Sequence, residues 1–326
     1  MTTWRIIEGD CLASMAELLD AESVQTCVTS PPYFGLRDYG HDGQIGLEPT
    51  PDEYVERLVA VFREVRRVLR DDGTLWLNLG DSYNAAGRVG HGTRIGFKQG
   101  TNRASANGSD SCRPSVDGLK EKDLLGIPWM VAFALRADGW FLRSEIIWAK
   151  PNPMPESERD RPTKAHEQVF LLSKSRSYFY DADAIREPNS PSTLAAHDGL
   201  RTAATGTAPD RNDSVAGGFS GRMHCGFSDA GRNKRSVWTV ATQPFPGSHF
   251  AVFPPKLIEP MVLAGSAQGD TVLDPFCGSG TTGMVALRHG RSFIGCELNA
   301  EYAQLARHRI VDDAPLLTQM SEVAAA

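Results

Sequence analysis

The 326-residue sequence is short of several things that would narrow its function at once. No run of residues approaches the ~20 apolar positions of a membrane span. The opening stretch MTTWRIIEGDCLASM lacks the basic start and long apolar core of a secretory leader. The six cysteines (Cys11, Cys27, Cys112, Cys225, Cys277 and Cys296) form no CxxC pair. That excludes a zinc-cluster or disulfide framework and fits a reducing, cytoplasmic setting. His91, His197 and His224 show no ligand spacing, so no metal is expected. A net charge of −6 excludes a chain coated in basic residues for indiscriminate nucleic-acid binding. No internal repeat is visible.

Ordinary globular composition remains, 41% hydrophobic and 23% charged, with charge and punctuation unevenly spread. Residues 84–122 hold seven Lys or Arg against three acids among many Gly, Ser and Asn, and residues 84–117 read as a mobile loop. Residues 189–234 are again rich in Gly, Ser, Ala and Arg, with little core material. Elsewhere strands alternate with helices. TWRIIEGDCL reads as a short strand ending at Gly9-Asp10, and SVQTCVTSPPY as a second strand ending at its SPPY stretch. Thr50-Pro51-Asp52 starts a helix that carries Tyr54, Leu58, Phe62, Val65 and Leu69 on one face. Thr74 to Leu79, FLRSEIIWAK, EQVFLLSKS and SYFYD follow as strands, the last two as a possible hairpin. IPWMVAFALRADGW reads as a helix, and another starts near Pro255. DTVLDPFCGSGTTGMVALRHG is strand, glycine turn and helix. RSFIGCEL and a closing helix capped by Asn299 complete the set. This alternation predicts an α/β, doubly wound, mostly parallel sheet, with ligands beyond the carboxyl ends of its strands.

Two motifs fall at such ends. In LDPFCGSGTTG, Gly278 and Gly280 let backbone approach a ligand, and Glu297 closes the next strand, where an acid can accept from ribose hydroxyls. No Lys follows the glycines, so this is not a phosphate-gripping P-loop. Asp274 would repel a pyrophosphate and suit the cationic amino-acid end of S-adenosylmethionine. Such a turn also occurs with no ligand at all. In TSPPY, two prolines end a strand and fix the backbone. That frame can aim the Ser30 hydroxyl, the Pro31 carbonyl and the Tyr33 ring, or be only a stiff turn.

DPFCGSGTT together with TSPPY resembles the DNA amino-methyltransferases, which methylate cytosine N4 or adenine N6. The catalytic motif precedes the cofactor motif, an order similar to the family's beta class. GWFLRSEIIWAKPNPMPESERDRPTKAHEQVFLLSKS and GSHFAVFPPKLIEP also look like family stretches. The resemblance implies a Rossmann-like methyltransferase fold with permuted motif order. Residues 1–185 would be a catalytic half with a mobile loop over 84–120. Residues 186–240 would be an inserted target-recognition region, and 241–326 the cofactor-binding half. It further implies that Asp274, Phe276, Gly278 and Gly280 hold the methionine part of S-adenosylmethionine, and that Glu297 takes the ribose. Asp10, with the Cys11 backbone, would meet the adenine amine, and His249, Phe253 and Pro254 would close over the cofactor. Ser30, Pro31, Pro32 and Tyr33 would form the target-base pocket.

Attack by a base amine needs its lone pair withdrawn from the ring, which two acceptors on its N–H bonds would favour. Ser30 and the Pro31 carbonyl fit that need, and Tyr33 offers a stacking face for a base flipped from the duplex. In the family it resembles, DPPY is the usual adenine form and SPPY the usual cytosine form, so the resemblance implies cytosine N4 for serine at position 30. N6-adenine, a non-DNA methyltransferase and a silent nucleic-acid binder are the alternatives. Arg88, Arg94, Lys98 and Arg103 are candidates for gripping double-stranded DNA, and Arg211, Arg222, Arg232 and Arg235 for reading it. Asp81 and Tyr83 could line the base pocket or serve as cap and surface. Arg159, Arg161, Lys164 and His166 could meet phosphates, support the pocket or form a solvated loop. Further expectations are a monomer or homodimer, no membrane, and a cognate restriction endonuclease acting separately.

Overall fold

The computed structural model describes residues 2–36, 40–41, 43–84, 116, 118–192, 231–243 and 253–313. An eight-stranded sheet carries the chain. Its strands are β1 (Trp4–Glu8), β2 (Val24–Thr29), β3 (Leu69–Leu79), β4 (Phe141–Ala149), β5 (His166–Ser173), β6 (Val237–Thr239), β7 (Thr271–Asp274) and β8 (Ser292–Glu297). Across the sheet they run β1-β8-β7-β2-β3-β5-β4-β6. Every pairing is parallel except those of β5, which opposes both β3 and β4. Because β5 alone is reversed, its first residues, His166 and Glu167, share an edge with the carboxyl ends of the other strands.

The helices are α1 (Cys11–Leu18), α2 (Pro51–Val68), α3 (Ile127–Ala137), α4 (Pro255–Gly265), α5 (Thr281–Arg288) and α6 (Ala300–Asp313). α2 shows how sequence writes such an element. The Thr50 hydroxyl accepts from Glu53 N at 3.2 Å, Pro51 opens the first turn, and Arg66 and Arg67 sit in the last. Tyr54, Leu58, Phe62 and Val65 recur at helical spacing and are wholly buried. β2 is buried at all six positions, as a central parallel strand must be. Among the described residues, Trp76, Tyr54, Phe62 and Phe170 are the bulkiest of the fully buried side chains.

Three details depart from expectation. Residues 177–181, the SYFYD stretch, form no strand. Both edges of β5 are already occupied by β3 and β4, so no place is left for a hairpin partner. Phe179 N instead donates to Asp72 O at 2.9 Å, and Tyr180 stacks on Trp76. β3 starts at Leu69 rather than Thr74, because Leu69 already pairs with Val24 ahead of an irregularity in the ladder. α1, only eight residues long, carries no clear helical pattern; it is started by Asp10, whose Oδ1 accepts from Ala13 N at 2.9 Å.

Asp181–Arg235 forms a unit of its own. Its described part holds a single 3-10 turn, Asp183–Ile185, and a two-residue antiparallel bridge between Glu187 and Arg232. Val237–Thr239, within the stretch expected to be inserted, is an edge strand of the sheet beside β4. Among the described residues no helix is long and apolar enough to cross a membrane.

Candidate active site

A cleft of about 1160 Å³ opens along the carboxyl ends of the parallel strands. One half is built from the ends of β1, β7 and β8. Glu297 receives Gly278 N on Oε2 at 2.8 Å and Asn299 N on Oε1 at 2.9 Å. Burial raises its carboxyl above the ordinary value, and these backbone donors work against the rise. Asp10, Cys11, Phe253, Phe276 and Gly278 line the same half. Asp10 caps α1 with one oxygen while facing the cleft.

Asp274 lies elsewhere than the family resemblance implied. It is 1% exposed and does not line the cleft. Its Oδ1 accepts from the Thr29 hydroxyl at 2.6 Å and Phe276 N at 3.1 Å, and Oδ2 from the Thr282 hydroxyl at 2.7 Å. Burial pushes it up to about 6, with those three donors opposing the rise. The Thr29 bond joins residues 245 apart and ties the SPPY strand to the glycine turn. Gly280 is likewise off the cleft. It has φ +77°, and a Cβ there would stand 2.9 Å from Ala306 Cβ, so its lack of a side chain serves the approach of α6. Pro254 immediately precedes α4, behind Phe253, and does not line the cleft either.

The other half is built from β2, β3, β4 and β5. Ser30, Pro31, Pro32 and Tyr33 all line it. The Tyr54 hydroxyl of α2 donates to Pro32 O at 2.7 Å, anchoring the turn to the core. The Tyr33 ring passes so close to Gly80 that a Cβ there would be 2.4 Å from its Cε2. The Tyr33 hydroxyl donates to Glu167 Oε2 at 2.7 Å. Asn78 Nδ2 donates to the Tyr33 oxygen at 2.8 Å and to Glu167 Oε2 at 2.9 Å, and reaches Ser30 Oγ at 3.4 Å. Lys150 Nζ is hydrogen-bonded to Glu167 Oε1 and lies over the Trp148 ring. Burial, and next the Glu167 charge, hold the Tyr33 phenol well above its ordinary range.

Sequence reasoning missed Asn78, Gly80, Lys150 and Glu167. NLGD and the His-Glu pair at a strand start were the available signals, but only pairing of β3, β4 and β5 converts them into one cluster. Asp81 lines the cleft and also accepts from Ile127 N at 3.1 Å, capping α3 from outside the helix. Arg161 covers the Tyr83 ring at 4.0 Å. Lys164 and His166 line the cleft, and the buried Lys164 Nζ has no hydrogen-bond partner among the described residues. Burial lowers its pKa while Asp81 and Glu167 pull the other way. Arg159 is exposed.

Arg88, Arg94, Lys98, Arg103, Arg211, Arg222 and His249 lie outside the described residues. Arg232 is held by Glu187, through both backbones at 2.9 Å and through an ion pair at 3.3 Å. Arg235 closes the same unit. Among the described residues no group of three or more His, Cys, Asp or Glu could hold a metal ion.

The N6_N4_Mtase family model, described as DNA methylase, matches residues 24–308. The chain is 47% identical over 307 residues to the type II methyltransferase M.SmaI of Serratia marcescens, covering 94% of this chain and 90% of that one. It is 32% identical over 389 aligned positions to the type II methyltransferase M.SfiI of Streptomyces fimbriatus, covering 90% and 88%. Among solved structures, the PvuII cytosine-N4-specific DNA methyltransferase shares its fold, with TM-score 0.60 at 18% identity, over 98% and 94% of the two chains. A candidate DNA modification methylase of Thermus thermophilus, solved with S-adenosyl-L-methionine, gives TM-score 0.55 at 25% identity, over 96% of each. With a family match spanning most of the sheet and both halves of the cleft, the chain belongs to the N6/N4 DNA methylase family.

Proposed function

We propose that this protein methylates the exocyclic N4 amine of a cytosine flipped out of duplex DNA, with S-adenosylmethionine as donor. The observation that carries the reading is that the Gly278 turn and the Ser30-Pro31-Pro32-Tyr33 turn face one cleft, locked together by the Thr29–Asp274 bond.

The first half of the cleft suits the donor's chemistry. It offers the carboxylates of Glu297 and Asp10, the aromatic walls of Phe276 and Phe253, and open backbone at Gly278. Among the described residues the cleft's lysines, Lys150 and Lys164, belong to the other half, so this half offers no lysine to grip a pyrophosphate. Glu297 would take the ribose hydroxyls, and Asp10 with the Cys11 backbone the adenine amine. Asp274 and Gly280 would act from beneath, by holding the turn in shape. When bound, the cofactor supplies an electrophilic methyl group.

In the second half, the Ser30 hydroxyl and the Pro31 carbonyl would accept the two N–H bonds of the target amine. They would localise its lone pair and favour the charge that develops on it. The Pro32 carbonyl is already engaged by Tyr54, which leaves that of Pro31 for the base. Tyr33, its hydroxyl held by Glu167 and Asn78, would present its ring for stacking. Ser30 supports cytosine because SPPY is the form the family resemblance associates with N4 methylation. Duplex DNA is the partner, and the Asp181–Arg235 unit is the proposed target-recognition region, with Arg211, Arg222, Arg232 and Arg235 as candidate readers.

Incubation with duplex DNA and methyl-labelled S-adenosylmethionine, followed by digestion and mass spectrometry of the nucleosides, tests this. N4-methylcytosine is expected. N6-methyladenine as sole product overturns the base assignment, and absence of label in DNA overturns the reading as a whole.

A further inference from the structure

The hydrogen bonds beneath the base-facing turn form a chain whose direction is set at one end. A carboxylate has no proton to give, so Tyr33 must donate to Glu167 Oε2, at 2.7 Å. With its only proton spent there, the Tyr33 oxygen can only accept. Asn78 Nδ2 fills one of its acceptor sites at 2.8 Å. The amide cannot turn round without pressing Asn78 Oδ1 against the same carboxylate, which Nδ2 now meets at 2.9 Å. The other acceptor site faces Ser30 Oγ, which donates at 3.4 Å. Ser30 is therefore drawn to give its proton inward and to show a lone pair to the cleft. Lys150, at the end of β4, holds the second Glu167 oxygen and keeps the carboxylate aimed.

A serine hydroxyl by itself can donate or accept, and so cannot tell an exocyclic amine from the carbonyl in the same position. We propose that Glu167 is the positioning residue that gives this site its preference for an amine. It fixes the direction of the Glu167–Tyr33–Ser30 chain and so presents Ser30 as an acceptor. This rests on the reading above, in which Ser30 meets the target base. The substrate feature selected is an N–H donor at the base's exocyclic position, and the feature rejected is a carbonyl oxygen.

Glu167→Gln is the direct test, because its amide can donate to Tyr33 and let the whole chain reverse. The probe is a duplex carrying the methylation site, identified by sequencing the product, with an abasic residue opposite the target so that base pairing does not enter. Binding is measured without cofactor for cytosine and for uracil at the target (adenine and hypoxanthine if the product is N6-methyladenine). The wild type is expected to favour the amine by about tenfold, the size of one well-made hydrogen bond. Glu167→Gln should erase or invert that ratio. Glu167→Asp, which keeps an acceptor-only end, should retain the preference. Tyr33→Phe should lose it, with no further loss when combined with Glu167→Gln. A wild-type ratio in Glu167→Gln, with a normal melting temperature, overturns the inference and leaves the function standing. If Glu167→Gln does not fold, a Tyr33→Phe protein that keeps the wild-type ratio overturns it equally. A wild type indifferent to amine and carbonyl removes the base-pocket reading, and this inference with it.

Discussion

The two halves of the cleft are assembled by opposite means. The glycine-turn half comes mostly from one continuous stretch, β7, its turn, α5 and β8, which Asp10 and Cys11 after β1 and Phe253 before α4 complete. Much of its hydrogen bonding runs through backbone amides onto Glu297 and Asp274. The SPPY half is made of side chains gathered from β2, β3, β4 and β5, and it centres on a carboxylate, Glu167, that is 134 residues from Tyr33. A local turn can be written in a short stretch of chain, whereas a convergent cluster exists only once the sheet has chosen its strand order. The halves should accordingly fail differently when altered, one in affinity and shape, the other in turnover.

The largest expected effect is on turnover. Ser30→Ala removes one of the two acceptors proposed for the amine and should lower kcat by roughly 10²–10³-fold, the range for losing one preorganised hydrogen-bonding group. The cofactor dissociation constant should stay within about threefold, since Ser30 lies on the other half. Single-turnover methylation and equilibrium cofactor binding, measured side by side, check this. Parallel loss of both would break the comparison.

Asp274 sharpens it from beneath. Its carboxyl is raised from 3.8 to about 6 in the folded chain, so between those values the native state holds a proton that the unfolded chain has released. Stability supplied by this group is therefore present at low pH and lost as pH climbs from about 4 through about 6, by at most about 3 kcal/mol. Asp274→Asn should gain melting temperature relative to the wild type as pH rises across that window. A constant difference from about pH 4 to about pH 7 would mean that the Thr29, Thr282 and Phe276 donors offset burial completely.

Two glycines offer a matched pair. At Gly280, φ +77° and the contact with Ala306 make Ala costly, by about 1–3 kcal/mol of stability, with weakened cofactor binding. At Gly80 the obstacle is the Tyr33 ring, so Gly80→Ala should displace the proposed stacking face and reduce kcat about tenfold, with cofactor affinity kept. Thermal melts and steady-state kinetics on both variants separate the two outcomes. Exchanged phenotypes would show that these glycines do not divide between the halves as the contacts indicate.

What the sequence disclosed follows the same division. Thr50-Pro51 and the spacing of Tyr54, Leu58 and Phe62 announced α2, and the strand–glycine–helix stretch announced β7 and α5, because caps and periodicity are local properties. The motif order carried the resemblance that implied a permutation, and the pairing of β1 with β8 brings the two ends of the chain side by side in the sheet. The role of Asp274 was not legible: a buried joint and a ligand contact use the same letter, and only the Thr29 partner distinguishes them. Glu167 was hidden because its neighbours in space come from β2, β3 and β4. SYFYD looked like a strand by composition, but the neighbour it needed was already paired on both edges.

The smallest expected effect tests how far the base half depends on the core. Tyr54 is wholly buried on α2, and burial, and after it Glu48, hold its phenol above the ordinary range, so it remains a donor at any working pH. Its one proton goes to Pro32 O at 2.7 Å. Tyr54→Phe keeps the ring and its packing against Phe34 but leaves that carbonyl without its partner, at a cost of about 1 kcal/mol in stability. A freed Pro32 carbonyl lets the turn drift, and the aim of the adjoining Pro31 carbonyl drifts with it. A severalfold fall in kcat with unchanged cofactor binding is therefore expected. If cofactor binding weakens by the same factor, the disturbance has crossed through Thr29 to Asp274, and the two halves are one mechanical unit despite their separate construction.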